Sequence, residues 1–341
     1  MGNIINNQVF IIAEAGVNHN GELKLAKKLV DAAKEANVDA VKFQTFKPGE
    51  VTGRFAFKVE YQEASQMGDD RYEMSQKLAL PYDAFRELKA YCETKEILFL
   101  STPDGEDSLN FLVDELDIPI IKVGSTEVTH LSYLKAIAQK NRPIILSTGM
   151  SSLKEVEAAV KVIQSNTKEA LYLLHCTTEY PAPYEEVNLK AMQTLNRHFN
   201  LPVGYSDHTV GNEAAIAAVA LGAQVIEKHF TVDKSLPGPD HQASMTPAEL
   251  AELVRSIRIS EKILGDGVKQ PTASELKNIS GVRRGVVAAH PLQSGSVLHQ
   301  EDLAFKRPNT GVDIKDADKV IGKKLNRDLQ EDEVIQWEYL S

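Results

Sequence analysis

The sequence predicts a (β/α)8 TIM barrel, an α/β fold, followed by a small, mostly β C-terminal module. Within the first 265 residues, eight short runs rich in Val, Ile and Leu each lead through a polar or glycine-containing turn into a stretch of helical periodicity. That count and length match a (β/α)8 barrel, whereas an open doubly wound sheet usually stops at fewer strands. After Gly265 the pattern changes to short alternating runs broken by Pro and Gly, as expected of a second, smaller unit.

The expected strands are Val9 to Ala13, Ala40 to Gln44, Leu98 to Ser101, Ile120 to Gly124, Ile144 to Thr148, Ala170 to Cys176, Val203 to Ser206 and Val225 to His229. The helix Leu23 to Ala36 shows the intervening pattern: Leu25, Leu29, Ala32, Ala33 and Ala36 form one stripe, while Lys24, Lys27, Lys28, Asp31 and Glu35 face water. Pro48 to Leu80 is long for a βα loop, and long structured loops on that face usually cover an active site. The last barrel helix starts at Thr246-Pro247, a cap with proline in the first turn, and runs to Leu264. Residues 1–265 are thus expected to form the barrel and 266–280 a linker with a helix-like piece, Ser274 to Asn278. Residues 281–341 would form the small module, with runs at Gly285 to Ala289, Val297 to Leu303 and Val334 to Trp337.

Composition narrows the function classes. At 43% hydrophobic and 25% charged, the chain is that of a folded globular protein. A net charge of −10 disfavours nucleic acid and anionic membranes as partners. The longest apolar run, Ala214 to Ala223, is far short of the ~18 residues of a membrane span. Met1 to Gln8 has no basic start or apolar signal core. Cys92 and Cys176 suggest no disulfide framework, so a cytoplasmic protein is expected.

Polar residues gather at the expected strand ends: Glu14, Lys42 and Gln44, Ser101-Thr102, Lys122 and Ser125, Ser147-Thr148, His175, Ser206-Asp207-His208, and Glu227 with His229. In this fold those ends converge on one mouth, where catalytic groups sit. Alternation puts Lys42 with Gln44, and Glu227 with His229, on faces opposite Val41, Phe43 and Ile226. Any single Ser or Thr here could simply cap a helix. Lysines within strands are costly to bury unpaired, so Lys42 and Lys122 point to a bound anion.

His208 and His229 end consecutive strands, close enough to share one cation. Two imidazoles without nearby thiolates suit Mn²⁺, Fe²⁺, Co²⁺ or Zn²⁺ with open water positions; hydrogen-bonded or acid-base histidines are the competing reading. Glu14 and Asp240 are the carboxylates expected nearby. The chain has no Walker-type loop, no GxGxxG after a strand and no HExxH, which disfavours nucleotide-dependent chemistry. Together these features describe a site for a phosphorylated, carboxylated small molecule.

The chain also resembles the bacterial sialic acid synthases. The similarity runs through IIAEAGVNHNG at Ile11 to Gly21, VKFQTF at Val41 to Phe46, ILSTGM at Ile145 to Met150 and LLHCTTEYPAP at Leu173 to Pro183. It continues through GYSDHT at Gly204 to Thr209, IEKHFT at Ile226 to Thr231 and PGPDHQAS at Pro237 to Ser244. VKQPTASELKN from Val268 and KRPNTG from Lys306 resemble the antifreeze-like (SAF, β-clip) domain of these enzymes. The resemblance implies condensation of phosphoenolpyruvate with N-acetylmannosamine or a related 2-acetamido sugar to a nine-carbon 2-keto acid, with release of phosphate. It implies a divalent cation, Mn²⁺, Mg²⁺ or Co²⁺, and a homodimer whose small domain covers the partner's site. By motif, His208 and His229 would hold the metal. Lys42, Thr102, Lys122, Ser125, Ser147 and Ser206 would surround phosphoenolpyruvate. Glu14, Gln44, Tyr180, Asp240 and Arg307 would face the acceptor, with Glu14 also near the metal's water.

Asp104 stands where these enzymes usually have Phe, Thr126 replaces Gly in Ser-Gly-Glu, and Thr178 stands where some have Asn. These departures bear on the acceptor. Thr177 to Pro181 looks at least as much like the legionaminic acid synthases, which take a diacetamido 6-deoxy sugar, and Pro237 to Asp240 argues against the pseudaminic acid branch. The competing classes are a Schiff-base aldolase using Lys122 and a non-catalytic sugar-binding barrel.

Overall fold

The computed structural model describes residues 8–59, 62 and 67–341; residues 1–7, which bear on export, and part of the loop after the second strand lie outside the described residues. Eight parallel strands form the barrel: β1 (Phe10–Gly16), β2 (Ala40–Phe46), β3 (Leu98–Asp104), β4 (Ile121–Val123), β5 (Ile144–Ser147), β6 (Leu171–His175), β7 (Val203–Asp207) and β8 (Val225–His229). Their ladder runs β3-β2-β1-β8-β7-β6-β5-β4, and β3 and β4 pack side by side to close it. The first three strands run two or three residues beyond the expected ends. Polar residues that read as strand-terminating are in fact inward-facing members of the ladder.

Alternation sorts the apolar residues into two cores. Ile11, Ala13, Val41, Phe43, Phe99 and Ile226 face the helices, while Phe10, Ile12, Ala40, Leu100, Ile145, Leu174 and Val225 fill the barrel interior. Cutting a fully buried leucine such as Leu29 or Leu100 to alanine should cost about 2–5 kcal/mol. In the helix Leu23–Glu35 the buried stripe is Ala26, Leu29, Val30, Ala32 and Ala33. Leu25, expected within it, is only half-buried, because the stripe is rotated by one position. The helix Pro247–Leu264 starts, as its sequence indicated, with a capping box between Thr246 and Glu249. From it, Arg258 reaches Asp39 (2.8 Å) and the carbonyl of Val9, fastening the last helix to the first strands. In the loop after β2, Arg71–Leu78 is a helix capped by Asp70, and Met74 and Leu78 pack with Val17 and Phe46.

The chain divides into two compact units, Met1–Gly265 and Asp266–Ser341. In the second, the stretch read as a linker is largely the helix Ala273–Val282, which runs two residues past the expected boundary and starts with a capping box between Thr272 and Glu275. Strand β9 (Gly285–Ala288) pairs antiparallel with β10 (Leu303–Lys306), over a core that includes Val286, Leu298, Val312, Val320 and Ile335. Val297 to Leu303 is not one strand. Val297 makes a single bridge to Lys324, a turn at Gln300–Asp302 follows, and the paired strand begins only at Leu303. Val334 bridges Val287, and Trp337 begins another tight turn. Among the described residues no helix is long and apolar enough to cross a membrane.

Candidate active site

Toward the C-terminal ends of six of the strands the inward register changes from apolar to polar. Ile12 gives way to Glu14, Ala40 to Lys42 and Gln44, Leu100 to Thr102, Ile120 to Lys122, Ile145 to Ser147, and Val225 to Glu227 and His229. The polar layer opens into a cavity of about 490 Å³. Glu14, Lys42, Gln44, Thr102, Lys122, Ser125, Ser147, Tyr180, Ser206, His208, His229 and Asp240, all expected at the site, line it. Arg307 belongs to the second unit, where it is exposed and donates Nε to the Val282 carbonyl at 2.6 Å.

At the centre two lysines meet two carboxylates. Lys42 Nζ lies 2.6 Å from Glu14 and 3.6 Å from Glu227, and it donates to Thr102 Oγ1 at 3.1 Å. Lys122 Nζ donates to Ser147 Oγ at 2.8 Å and lies 3.5 Å from Glu227, which also accepts from Ser206 Oγ at 2.9 Å. In the ladder Glu14 stands opposite Lys42 on one side and His229 on the other. Gly16, at φ +51°, permits this crowding: a Cβ there would sit 3.3 Å from Glu14 Oε1 and 3.4 Å from His229 Cε1.

The same burial acts differently on the two acids. It pushes Glu14 up to about 7, with Glu227 adding to the rise and Lys42 opposing it. Burial also opposes ionisation of Glu227, but Lys122 and Lys42 together with Ser206 outweigh it and hold that carboxyl near 2. Lys122 is pulled down by burial, with Glu227 opposing, whereas for Lys42 the pull of burial is overcome by Glu14 and Glu227. Asp240 is raised to about 6 by burial, and Asp104 to about 7 by burial and then Glu127.

The imidazoles of His208 and His229 have ring centroids 5.6 Å apart, and the Tyr180 ring lies 4.1 Å from that of His208. Burial lowers both pKa values, so both rings are neutral at pH 7. His208 Nδ1 donates to the Thr177 carbonyl at 2.6 Å, which leaves the Nε2 lone pair free. His229 Nδ1 is buried with no hydrogen-bond partner. Two neutral rings with uncommitted nitrogens on one cavity wall fit a divalent cation. No group of three or more His, Cys, Asp and Glu among the described residues forms a metal cage, so such a cation would draw its remaining ligands from water or substrate oxygens.

Several strand-end residues turn away from the cavity. His175 Nε2 contacts the Val187 carbonyl, Thr148 donates to the Leu174 carbonyl, and Ser101 bonds Thr45. In each case the neighbouring residue, Cys176, Ser147 or Thr102, holds the inward position. Glu227 is the main residue that sequence reasoning left out of the site. Its inward face was legible, but nothing in the sequence says which carboxylate lies between the two lysines. Cys176, Gln62, Arg71 and Met74 also line the cavity, the last three from the loop after β2.

A (β/α)8 barrel with two lysines, two neutral imidazoles and buried carboxylates at its mouth is an enzyme built for a small anionic substrate. The chain belongs to the NeuB family: residues 29–269 match that family and residues 283–341 match the SAF domain. It is 47% identical to the N,N'-diacetyllegionaminic acid synthase of Campylobacter jejuni, over 96% of this chain and 99% of that protein. Identity to the enzyme of the same name from Legionella pneumophila is 46%, over 97% and 94%. The crystal structure of N-acetylneuraminic acid (sialic acid) synthetase from Leptospira borgpetersenii in complex with citrate is 39% identical, with a TM-score of 0.71 over 80% of this chain and 90% of that one.

Proposed function

We propose that this protein condenses phosphoenolpyruvate with the open-chain aldehyde of a 2-acetamido sugar, giving a nine-carbon 2-keto acid and inorganic phosphate. The observation that carries the reading is the pairing of Lys42 and Lys122, buried around Glu227, with two neutral imidazoles on the same cavity. Lys42 and Lys122 hold the carboxylate and phosphate of phosphoenolpyruvate, and the hydroxyls of Thr102, Ser125, Ser147 and Ser206 complete that pocket. The methylene carbon supplies the electron pair for the new C–C bond, and the aldehyde oxygen, which receives the pair of the broken C=O π bond, takes up a proton from solvent. Water adds to the cationic carbon left behind, and Glu14, poised near neutrality, accepts the proton it loses. Cleavage of the C–O bond of the resulting phosphate hemiketal then expels phosphate, and the hemiketal hydroxyl gives up its proton to solvent as the 2-keto group forms. His208 and His229 would hold a divalent cation, Mn²⁺ or Mg²⁺, which would supply a Lewis acid for the acceptor's carbonyl. Gln44, Tyr180 and Asp240 face the sugar, joined by the partner subunit's Arg307 in a cytoplasmic homodimer whose SAF domain covers the neighbouring barrel.

For the acceptor we favour the diacetamido 6-deoxy sugar over N-acetylmannosamine. The two relatives named for the diacetyl product are nearer in sequence than the sialic acid synthetase, and Asp104 and Thr178 both line the cavity. Mixing protein, phosphoenolpyruvate, Mn²⁺ and each acceptor should release phosphate fastest with the diacetamido sugar. No release with either acceptor would reject the reading. The lowered pKa of Lys122 keeps a Schiff-base aldolase as the alternative; borohydride trapping of a pyruvate adduct on Lys122 would establish it instead.

A further inference from the structure

Behind the two imidazoles lies a buried ion pair that the proposed reaction does not touch. Strands β7 and β8 run in register with Ser206 opposite Glu227 and Asp207 opposite Lys228. Ser206, Glu227 and His229 face the cavity, so Asp207 and Lys228 turn to the outside of the barrel wall. Asp207 immediately precedes His208, and Lys228 immediately precedes His229.

The pair is fully satisfied. Lys228 Nζ lies 2.7 Å from Asp207 Oδ2 and donates to the carbonyls of Thr209 (2.7 Å) and Gly211 (2.8 Å). Asp207 Oδ1 accepts from the backbone N–H and the hydroxyl of Thr209, both at 2.8 Å. The Lys228 and Asp207 side chains are 2% and 0% exposed. Burying two charges is a poor route to stability, since apolar residues of similar volume are often neutral or better. The geometry does something an apolar pair could not: it gathers Asp207 at the end of β7, and the backbone of Thr209 and Gly211 beyond it, onto β8.

His229 needs no such tie. It stands in the β8 ladder opposite Glu14, and its carbonyl accepts from Met245 N at 2.9 Å. His208 lies one residue past the end of β7, and its other bonds, to the Thr177 carbonyl and from Ala182 N, lead to the turn after β6. Inside the barrel Ser206 donates to Glu227 and the Tyr180 ring touches both imidazoles, while on the outer face the Asp207–Lys228 pair ties the backbone around His208 to the strand that carries His229.

We propose that Asp207 and Lys228 are positioning residues that hold the two imidazoles at the spacing one divalent cation requires. The inference rests on the reading of His208 and His229 as cation ligands. Titration of Mn²⁺ into the full-length chain, followed by the paramagnetic resonance signal of the free ion, tests both. The neutral pair Asp207→Asn/Lys228→Met should bind Mn²⁺ about 10–100-fold more weakly, the usual cost of losing support behind a ligand. Lys228→Arg should retain binding, and phosphoenolpyruvate affinity of the metal-free proteins should not change. Wild-type Mn²⁺ affinity in the neutral pair, or equal losses for Mn²⁺ and phosphoenolpyruvate, would overturn the proposal. Should the neutral pair fail to fold, Thr209→Val removes one bond to Asp207 and keeps both charges. A fall in Mn²⁺ affinity there supports the role, and an unchanged affinity overturns it. A wild-type chain that binds no Mn²⁺, or binding that survives His208→Ala, would instead refute the ligand reading beneath it.

Discussion

Glu14 and Glu227 both contact Lys42, yet only Glu14 is held near neutrality, because Glu227 also faces Lys122 and accepts from Ser206. Their replacements should therefore fail in different ways. A base must be ionised to accept a proton, so with Glu14 poised at about 7 the rate should rise with pH through about 7 and then level off. Glu14→Gln should remove that limb and lower kcat by roughly 10²–10⁴-fold, with phosphoenolpyruvate affinity little changed. A pH–rate profile of the variant that keeps the wild-type limb would assign the proton to another group. Glu227→Gln, by contrast, leaves two buried lysines short of countercharge and should cost about 3–5 kcal/mol in stability, read from denaturant midpoints. A midpoint equal to that of wild type would mean that water or nearby hydroxyls already compensate the lysines.

Two of the three departures from the sialic acid synthase pattern, Asp104 at the end of the third strand and Thr178 just after the sixth, line the cavity from different walls. Gly149 lets Thr178 approach: a Cβ on it would fall 2.4 Å from Thr178 Oγ1. Asp104→Phe and Thr178→Asn should thus change the ratio of kcat/KM between acceptors more than the use of phosphoenolpyruvate. Equal losses for every acceptor would make these positions structural. Elements differed in how far the sequence disclosed them. Lys42 and Lys122 stood out because a charge inside an apolar strand run has few explanations, and alternation put Lys42 on the face opposite Val41 and Phe43. Asp207 and Lys228 did not stand out, since alternation assigns them to the helix-facing side but cannot say that they meet there. Val297 to Leu303 read as a strand because its composition suits one, whereas a turn at Gln300–Asp302 interrupts it. The cavity residues Gln62 and Arg71 were illegible for a third reason: a loop's covering side chains depend on how it folds back, which periodicity does not encode.

Over the whole molecule, the assembly proposed here makes each active site a product of two chains. Arg307→Ala and His229→Ala should each be inactive alone. If Arg307 serves the neighbouring barrel, subunit exchange between them should restore about a quarter of wild-type sites, because each mixed dimer has one site free of both lesions. No recovery despite demonstrated exchange would return Arg307 to its own chain. The paired charges at the barrel's mouth have a further consequence, for the order in which ligands arrive. Above pH 7 two ammonium groups face two carboxylates, and the lining carboxyls of Asp104 and Asp240 add further negative charge, so these groups by themselves offer a multiply charged anion no net attraction. A divalent cation on the neutral imidazoles tips that balance, and thermodynamic reciprocity then requires each ligand to tighten the other by one common factor. Calorimetric titrations of phosphoenolpyruvate with and without Mn²⁺, and of Mn²⁺ with and without phosphoenolpyruvate, should give the same ratio well above unity. The acceptor would then enter a pocket already loaded with both, which makes binding of phosphoenolpyruvate and cation a single coupled event ahead of the sugar.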